Sequence, residues 1–295
     1  MTSDSFFIFL NKSVGQTSQQ CLTQFKRKFG FKKIGHHGTL DPFASGLLLV
    51  GVGEATKFFQ FVDDSKKTYE ATLMLGVKTD TLDHTGKTVS SEAVPDLCLE
   101  EIKAALHFFL GKIKQTPPMY SAIKIDGKKM YDLARQGIEV DRKVREVEIF
   151  DLELLDWQTP LLRIRATVSR GTYIRVLAEQ IAEKLGTLAH LVSLVRTNLT
   201  GVSLESAFQI DGDPQQRLDR QIPILEMLGH LPKLWVSESQ KHDLICGKKI
   251  LLSEVISNSE CIQETVVAVV SASEEFVGVC QFNDGKLVVE RLMSF

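Results

Sequence analysis

No two cysteines in this chain are spaced to act together. The five that occur (Cys21, Cys98, Cys246, Cys261 and Cys280) are scattered, odd in number and form no CxxC pair. That argues against a disulfide framework or a zinc site, and for reduced thiols in a cytoplasmic protein. No apolar run approaches the length of a membrane span. The opening segment, Met1 to Leu10, lacks a basic n-region and a small-residue cleavage site, so it reads as a first strand rather than a signal peptide. Gly51-Val52-Gly53-Glu54-Ala55-Thr56-Lys57 is not a nucleotide-binding loop, because Lys57 does not follow a glycine. There is no internal repeat and no low-complexity tract. Net charge is only −2, which does not advertise a nucleic-acid partner.

What is present is an ordinary globular composition, 43% apolar and 24% charged, over 295 residues. That length suits one large domain and a small one. The charge is unevenly placed. Residues 230–295 hold six Lys/Arg against nine Asp/Glu. From Leu22 to Leu40 there are five basic residues (Lys26, Arg27, Lys28, Lys32, Lys33), two histidines and no acid. Such a patch either neutralises phosphates or is a solvated helix face; charge alone does not choose.

Phe6 to Leu10 reads as a strand. Thr17 with Gln20 forms a capping box for a helix carrying Cys21, Leu22, Phe25 and Phe29, stopped by Gly30. Leu47–Val50 is a short buried strand, and Ala55–Val62 is read as helical with Phe58, Phe59 and Phe61 in the core. Tyr69, Ala71, Leu73 and Leu75 alternate with polar neighbours, as in a strand. Gly76 to Thr85 reads as loop. Leu99, Ile102, Ala105, Leu106 and Phe109 mark a helix with Asp96 as its cap. Gln115 to Tyr120 is extended because of its two prolines, and Asp126-Gly127 predicts a hairpin turn. Val144–Leu155 and Leu161–Val168 read as strands, and Ile174 to Leu185 as an amphipathic helix ending at Gly186. From His230 the pattern becomes short apolar runs broken by turns such as Asn283-Asp284-Gly285, a small β-rich module. The expected class is α+β, with domains at 1–229 and 230–295.

One carboxylate stands out. Asp41 lies in Gly35-His36-His37-Gly38-Thr39-Leu40-Asp41-Pro42-Phe43-Ala44-Ser45-Gly46. Pro42 pushes Asp41 towards extended geometry, and the glycines permit tight turns. Composition alone favours a turn with a helix cap; a carboxylate held at the edge of a cleft is the other reading. No Asp-x-Asp follows. The next acids are Glu54, Asp63 and Asp64, which does not suit a two-carboxylate hydrolase.

The full wording, Gly-His-x-Gly-Thr-Leu-Asp-Pro-x-Ala-x-Gly continued by Gly53-Glu54-Ala55-Thr56-Lys57, resembles the signature of the TruB family, the tRNA pseudouridine synthases acting on uridine 55 of the T-loop. Lys67-Thr68-Tyr69-Glu70, Pro118 to Lys124, Tyr131 to Gly137, Ser169-Arg170-Gly171-Thr172-Tyr173-Ile174-Arg175 and Ala189 to Arg196 resemble its further motifs. The resemblance implies a pseudouridine synthase fold, a mixed and largely antiparallel sheet with flanking helices around a central cleft, and a PUA-like RNA-binding C-terminal module. It implies Asp41 as the essential carboxylate, ionised beside Arg175, which holds its pKa down. It implies Tyr69 stacked on a flipped uracil, with Tyr173 and Leu194 lining the base pocket. His36 would enter the T-loop and support extrusion of the target nucleotide. Lys57, Lys67, Lys32 and Lys33 are candidate phosphate contacts. The isomerisation needs no redox, hydrolysis or energy input, so no cofactor and no metal is expected. The adjacent histidines diverge and lack an i, i+4 partner, against a metal site. The expected partner is the tRNA T-arm stem–loop, read by a monomer without a guide RNA, because guide-directed relatives would carry longer flanking extensions. A tRNA-folding role is compatible with the same surface. One departure stands at the opening motif, Asn11-Lys12-Ser13-Val14-Gly15 in place of Asp-Lys-Pro-x-Gly, which predicts a softer loop after the first strand.

Overall fold

The computed structural model describes residues 5–121, 124–125, 128–130, 138, 140–251 and 266–294. Its main sheet begins with β1 (Phe6–Lys12), followed by α1 (Ser18–Phe29), β2 (Ile34–His37) and β3 (Ser45–Val52). β1 and β3 are antiparallel partners and read as nearly continuous apolar runs because both their faces are covered. Phe7, Phe9, Leu47 and Leu49 face one cluster with Phe58. Phe6, Ile8, Leu10, Leu48 and Val50 face another with Cys21, Leu22 and Phe25 of α1. The capping box of Thr17 and Gln20 starts α1, and Gly30 ends it in the left-handed region at φ 70°.

β4 (Lys66–Leu75) alternates as its sequence does, burying Tyr69, Ala71, Leu73 and Leu75. These pack beneath α2 (Leu99–Phe108) and α3 (Ile174–Lys184). β5 (Val77–Thr79), β6 (Thr88–Ser91), β7 (Gly111–Gln115), the short β8 (Lys124–Ile125) and β9 (Lys128–Lys129), β10 (Arg145–Gln158), β11 (Leu161–Ser169), β12 (Ala189–Leu199), β13 (Val202–Ser203) and β14 (Ile222–Pro223) follow. The sheet order is β14-β1-β3-β12-β4-β11-β10-β7, with β2 on β3 and β13 on β12. All its pairings are antiparallel except β12 with β3, which meet in parallel over Val195–Ser45 and Arg196–Gly46. That joint lies beside the Asp41 loop.

Three expectations change, and one strand was not foreseen. Ala55–Val62 is not one helix but two 3₁₀ turns, Gly53–Lys57 and Phe59–Phe61. On a continuous α-helix, successive residues diverge by about 100°. Breaking it lets Phe58, Phe59 and Phe61 all reach the same cluster. Asp96 is not the cap of α2. Cys98 is, and Glu101 accepts its backbone N–H at 2.8 Å; Leu97 packs against the core before the helix begins. Gly76 to Thr85 contains β5, which pairs with β6. β7 was not legible as a strand, since Gly111-Lys112-Ile113-Lys114-Gln115 carries one large apolar residue. The turn Asp126-Gly127 lies outside the described residues, although β8 and β9 on either side pair antiparallel. Most of the Tyr131–Gly137 motif's neighbourhood, and that motif itself, also lie outside them.

After residue 230 a second sheet forms from β15 (Lys233–Val236), β16 (Ile250–Leu251), β17 (Val266–Ser271), β18 (Phe276–Asn283) and β19 (Lys286–Leu292), in the order β15-β17-β18-β19-β16. Asp284 and Gly285, at φ 51° and 71°, make the tight turn between β18 and β19. One face buries Leu234, Val269 and Phe282. Val266, Phe276, Val279 and Met293 pack instead on the Phe58 cluster of the larger sheet. Among the described residues no helix is long and apolar enough to cross a membrane.

Candidate active site

Asp41 sits in the connection between β2 and β3. Its backbone is held from three sides. Ser18 at the start of α1 accepts from Leu40 N–H at 2.9 Å and donates to Leu40 C=O at 3.1 Å. Gly15 N–H donates to Pro42 C=O at 2.8 Å, and Ala44 N–H to Asp41 C=O at 3.1 Å. The opening loop, which lacks the proline, is held by contacts of its own. The buried Lys12 ammonium ties it by donating to Ser13 C=O at 3.0 Å and Gln16 C=O at 2.7 Å. Burial, with Arg196 adding to it, brings Lys12 down to about 8, although Cys21 and Asp41 pull the other way.

Arg175, on the first turn of α3, meets Asp41 with two nitrogens: Nε to Oδ2 at 3.0 Å and Nη2 to Oδ1 at 3.3 Å. The remaining donors go to Thr81 C=O and Tyr120 C=O, both at 2.8 Å. A guanidinium in the first turn of a helix opposes the macrodipole, and no acid of α3's own first turn offsets it. The carboxylates come from elsewhere. Besides Asp41, Asp83 lies 3.8 Å from Arg175 Nη1. Asp83 is itself oriented by Thr81 and Thr85. The Arg175 side chain is 4% exposed, whereas that of Asp41 is 36% exposed, so the arginine is spent internally and the carboxylate faces outwards.

The pKa of Asp41 departs from expectation. Burial lifts it above the ordinary carboxylate range; Arg175 pulls it back, and Asp83 pushes it up again. The arginine offsets the desolvation without overcoming it.

Tyr173 caps α3 and exchanges hydrogen bonds with the buried Gln115: its N–H donates to Oε1 at 3.0 Å, and Nε2 donates to its C=O at 3.3 Å. Burial raises the pKa of its phenol, against a contact with Ser121. Tyr69 and Leu194 are buried in the same cluster as Leu40, Phe43 and Ile174, the immediate neighbours of Asp41 and Arg175. β12 brings Leu194 opposite Ala71 and Arg196 opposite Tyr69. His36 lies on β2 opposite Val50. Burial, then Arg196 and His37, lower its pKa and keep the ring neutral at pH 7.

The lysines separate. Lys67 is buried, and its ammonium contacts Asp64 at 3.0 Å. Asp64 also receives His37 Nε2 at 2.8 Å and lies 3.6 Å from Arg170. Burial would raise Asp64, but His37 and Lys67 hold it well below the usual range. Lys67 is therefore engaged in an internal ion pair. Lys57 is likewise engaged, by Glu54 and, at 2.9 Å, by Ser294. Lys32 and Lys33 are exposed, with Lys33 3.4 Å from Glu54. Reading the sequence missed Asp83, Asp64 and the structural weight of Lys12. Only the alternation Asp80-Thr81-Leu82-Asp83-His84-Thr85-Gly86, typical of side chains that bond their own backbone, signals Asp83.

This architecture has solved counterparts. The structure of a Cbf5–Nop10–Gar1 complex matches with TM-score 0.74 at 24% identity, over 97% of this chain and 84% of that one. An H/ACA ribonucleoprotein bound to a substrate RNA containing 2′-deoxyuridine matches at TM-score 0.72 and 22% identity, over 98% of this chain and 85% of that one. The fold is that of a pseudouridine synthase. Residues 26–174 match the model of the TruB family pseudouridylate synthase N-terminal domain. A tRNA pseudouridine synthase B of Burkholderia pseudomallei (strain 668) is 40% identical over 97% of this chain and 96% of its own length. One from Bacillus velezensis is 43% identical over 79% of each. The chain belongs to the TruB family and is a pseudouridine synthase, an isomerase.

Proposed function

We propose that this chain converts uridine 55 in the T-loop of tRNA to pseudouridine, with Asp41 as the essential carboxylate. The observation that carries this reading is the two-nitrogen contact of Arg175 with Asp41: the cation is buried and internally saturated, while the carboxylate keeps a third of its surface open to a substrate. The reaction breaks the N1–C1′ bond, turns the uracil, joins C5 to C1′, releases the C5 proton to solvent and leaves N1 carrying a proton taken up in its place. Attack by Asp41 on the sugar, attack on the base and removal of the C2′ proton each require an ionised carboxylate. Arg175 favours that form by a charge-assisted fork.

The remaining roles follow from position. Tyr69 supplies a ring on which the extruded uracil stacks, a contact worth roughly 1–3 kcal/mol. Leu194 and Tyr173 wall the base. The neutral His36 enters the T-loop and offsets part of the few kcal/mol spent on lost stacking. Lys32 and Lys33 meet the phosphates of the stem. The sheet after residue 230 is a PUA-like RNA-binding domain, separate from a catalytic domain at 1–229, and the protein acts as a monomer on the T-arm without a guide RNA. A tRNA-folding role accompanies catalysis.

The test is release of tritium from uracil C5 of unmodified tRNA. Wild-type release that vanishes in Asp41→Asn, with tRNA still bound, is the expected outcome. Binding without release in the wild type would instead identify a silent RNA-binding protein. Lys32→Glu combined with Lys33→Glu is expected to weaken tRNA binding and flatten its salt dependence by about one unit of slope per lost phosphate contact.

A further inference from the structure

Arg196 is the largest fully buried side chain of the molecule's described residues, 1% exposed, and no carboxylate pairs with it in the structure's described ion pairs. Its donors go to two backbone carbonyls: Nε to Leu47 C=O at 2.7 Å and Nη2 to Gly38 C=O at 2.8 Å. These carbonyls lie on opposite sides of Asp41, one before the loop and one after it. The backbone of Arg196 is fixed at the parallel joint opposite Gly46. A Cβ on Gly46, where φ is +103°, would stand 2.3 Å from Arg196 C=O, so only glycine admits this approach. A buried cation bonded to neutral carbonyls is costly, and a leucine would fill such a site more cheaply.

We propose that Arg196 is a positioning residue for the isomerisation: it clasps both ends of the Gly38–Leu47 loop and so fixes where Asp41 stands. The inference rests on the functional reading above. A planar guanidinium suits the task, because it spans two acceptors in fixed directions where an ammonium does not. After burial, the same cation is the chief influence lowering the pKa of His36. Arg196 therefore also discourages protonation of the residue assigned to enter the T-loop. A loop released at one end lets its carboxylate wander by an ångström, and a misplacement of that size costs about 100-fold in rate.

The experiment compares the full-length wild type, Arg196→Lys and Arg196→Gln. Single-turnover tritium release is expected to fall about 100-fold in Arg196→Gln, while the tRNA dissociation constant moves less than about threefold. Arg196→Lys is expected to recover only part of the rate. By NMR, the His36 ring in Arg196→Gln is expected to titrate at higher pH than in the wild type, a change that a merely structural role would not produce. In the wild type the Arg196 Nε–H is expected to exchange with water far more slowly than that of the exposed Arg170, which decides the clasp even where the variants fail to fold. Release in Arg196→Gln within about threefold of wild type, an unmoved His36 titration, or fast Nε–H exchange overturns the proposal. A wild type without tritium release would defeat the functional reading while leaving the exchange measurement to judge the clasp.

Discussion

The Arg175 guanidinium meets four groups from three parts of the chain: Asp41, Thr81 C=O with Asp83 beside it, and Tyr120 C=O. An ammonium in its place reaches at most a subset. Arg175→Lys is therefore expected to lower single-turnover release about 100-fold or more, and Arg175→Met further, because each leaves buried acceptors unmatched. The pH profile carries a second prediction. Asp41 must be ionised to act, and burial together with Asp83 raises its pKa above the ordinary 3.8. Activity is lost as pH falls through that raised value, so the acidic limb is expected above the usual carboxylate range. Asp83→Asn removes a like charge and is expected to move the limb to lower pH, measured as the rate against pH with tRNA in excess. Asp41 was singled out in the sequence by the family wording around it, since loop, glycines and proline by themselves favour an ordinary turn. Asp83 was not, because its importance comes from a long-range approach to Arg175, 92 positions away along the chain.

At the scale of elements, α1 does two jobs that its sequence separates. Thr17 and Gln20 satisfy the free N–H groups of its first turn, a local device visible in the spacing. Ser18, one residue on, bonds both backbone groups of Leu40. Thr17→Ala is expected to cost about 1 kcal/mol in urea unfolding and leave the rate nearly unchanged. Ser18→Ala leaves a buried N–H without its acceptor and is expected to cost about 1–3 kcal/mol; it is also expected to slow tritium release, since Leu40 precedes Asp41. Helices with clear caps and strands with clean alternation were readable. The segment Ala55–Val62 was not: its Phe58, Phe59 and Phe61 pack on one cluster from a stretch that holds two separate 3₁₀ turns instead of one helix.

For the whole molecule, the end of the chain is tied back to the Gly53–Lys57 motif. Ser294 donates from its N–H and hydroxyl to Glu54, at 3.2 and 2.7 Å, while Lys57 and Lys33 hold the same carboxylate. Burial alone would raise Glu54, but these hydrogen bonds bring it down to about 2. A lowered folded-state value means stabilisation present above the ordinary 4.5 and lost as pH falls through about 2. Glu54's share of the acid destabilisation is expected to be about 2 kcal/mol after solvent screening, and Glu54→Gln is expected to lack that share, as urea midpoints at successive pH values will show.

The amino-acid order alone determined the capped start of α1 and the alternating β4, because each depends on residues close in sequence, and it carried the family wording of the Asp41 loop. Tertiary structure decided which cations remain available and what the carboxylate's environment is. Lys67 is drawn inward by Asp64, while Arg175 and Arg196 reach the Asp41 loop from beyond position 170. Those outcomes depend on burial and on distances across the sheet, neither of which is a property of neighbouring residues.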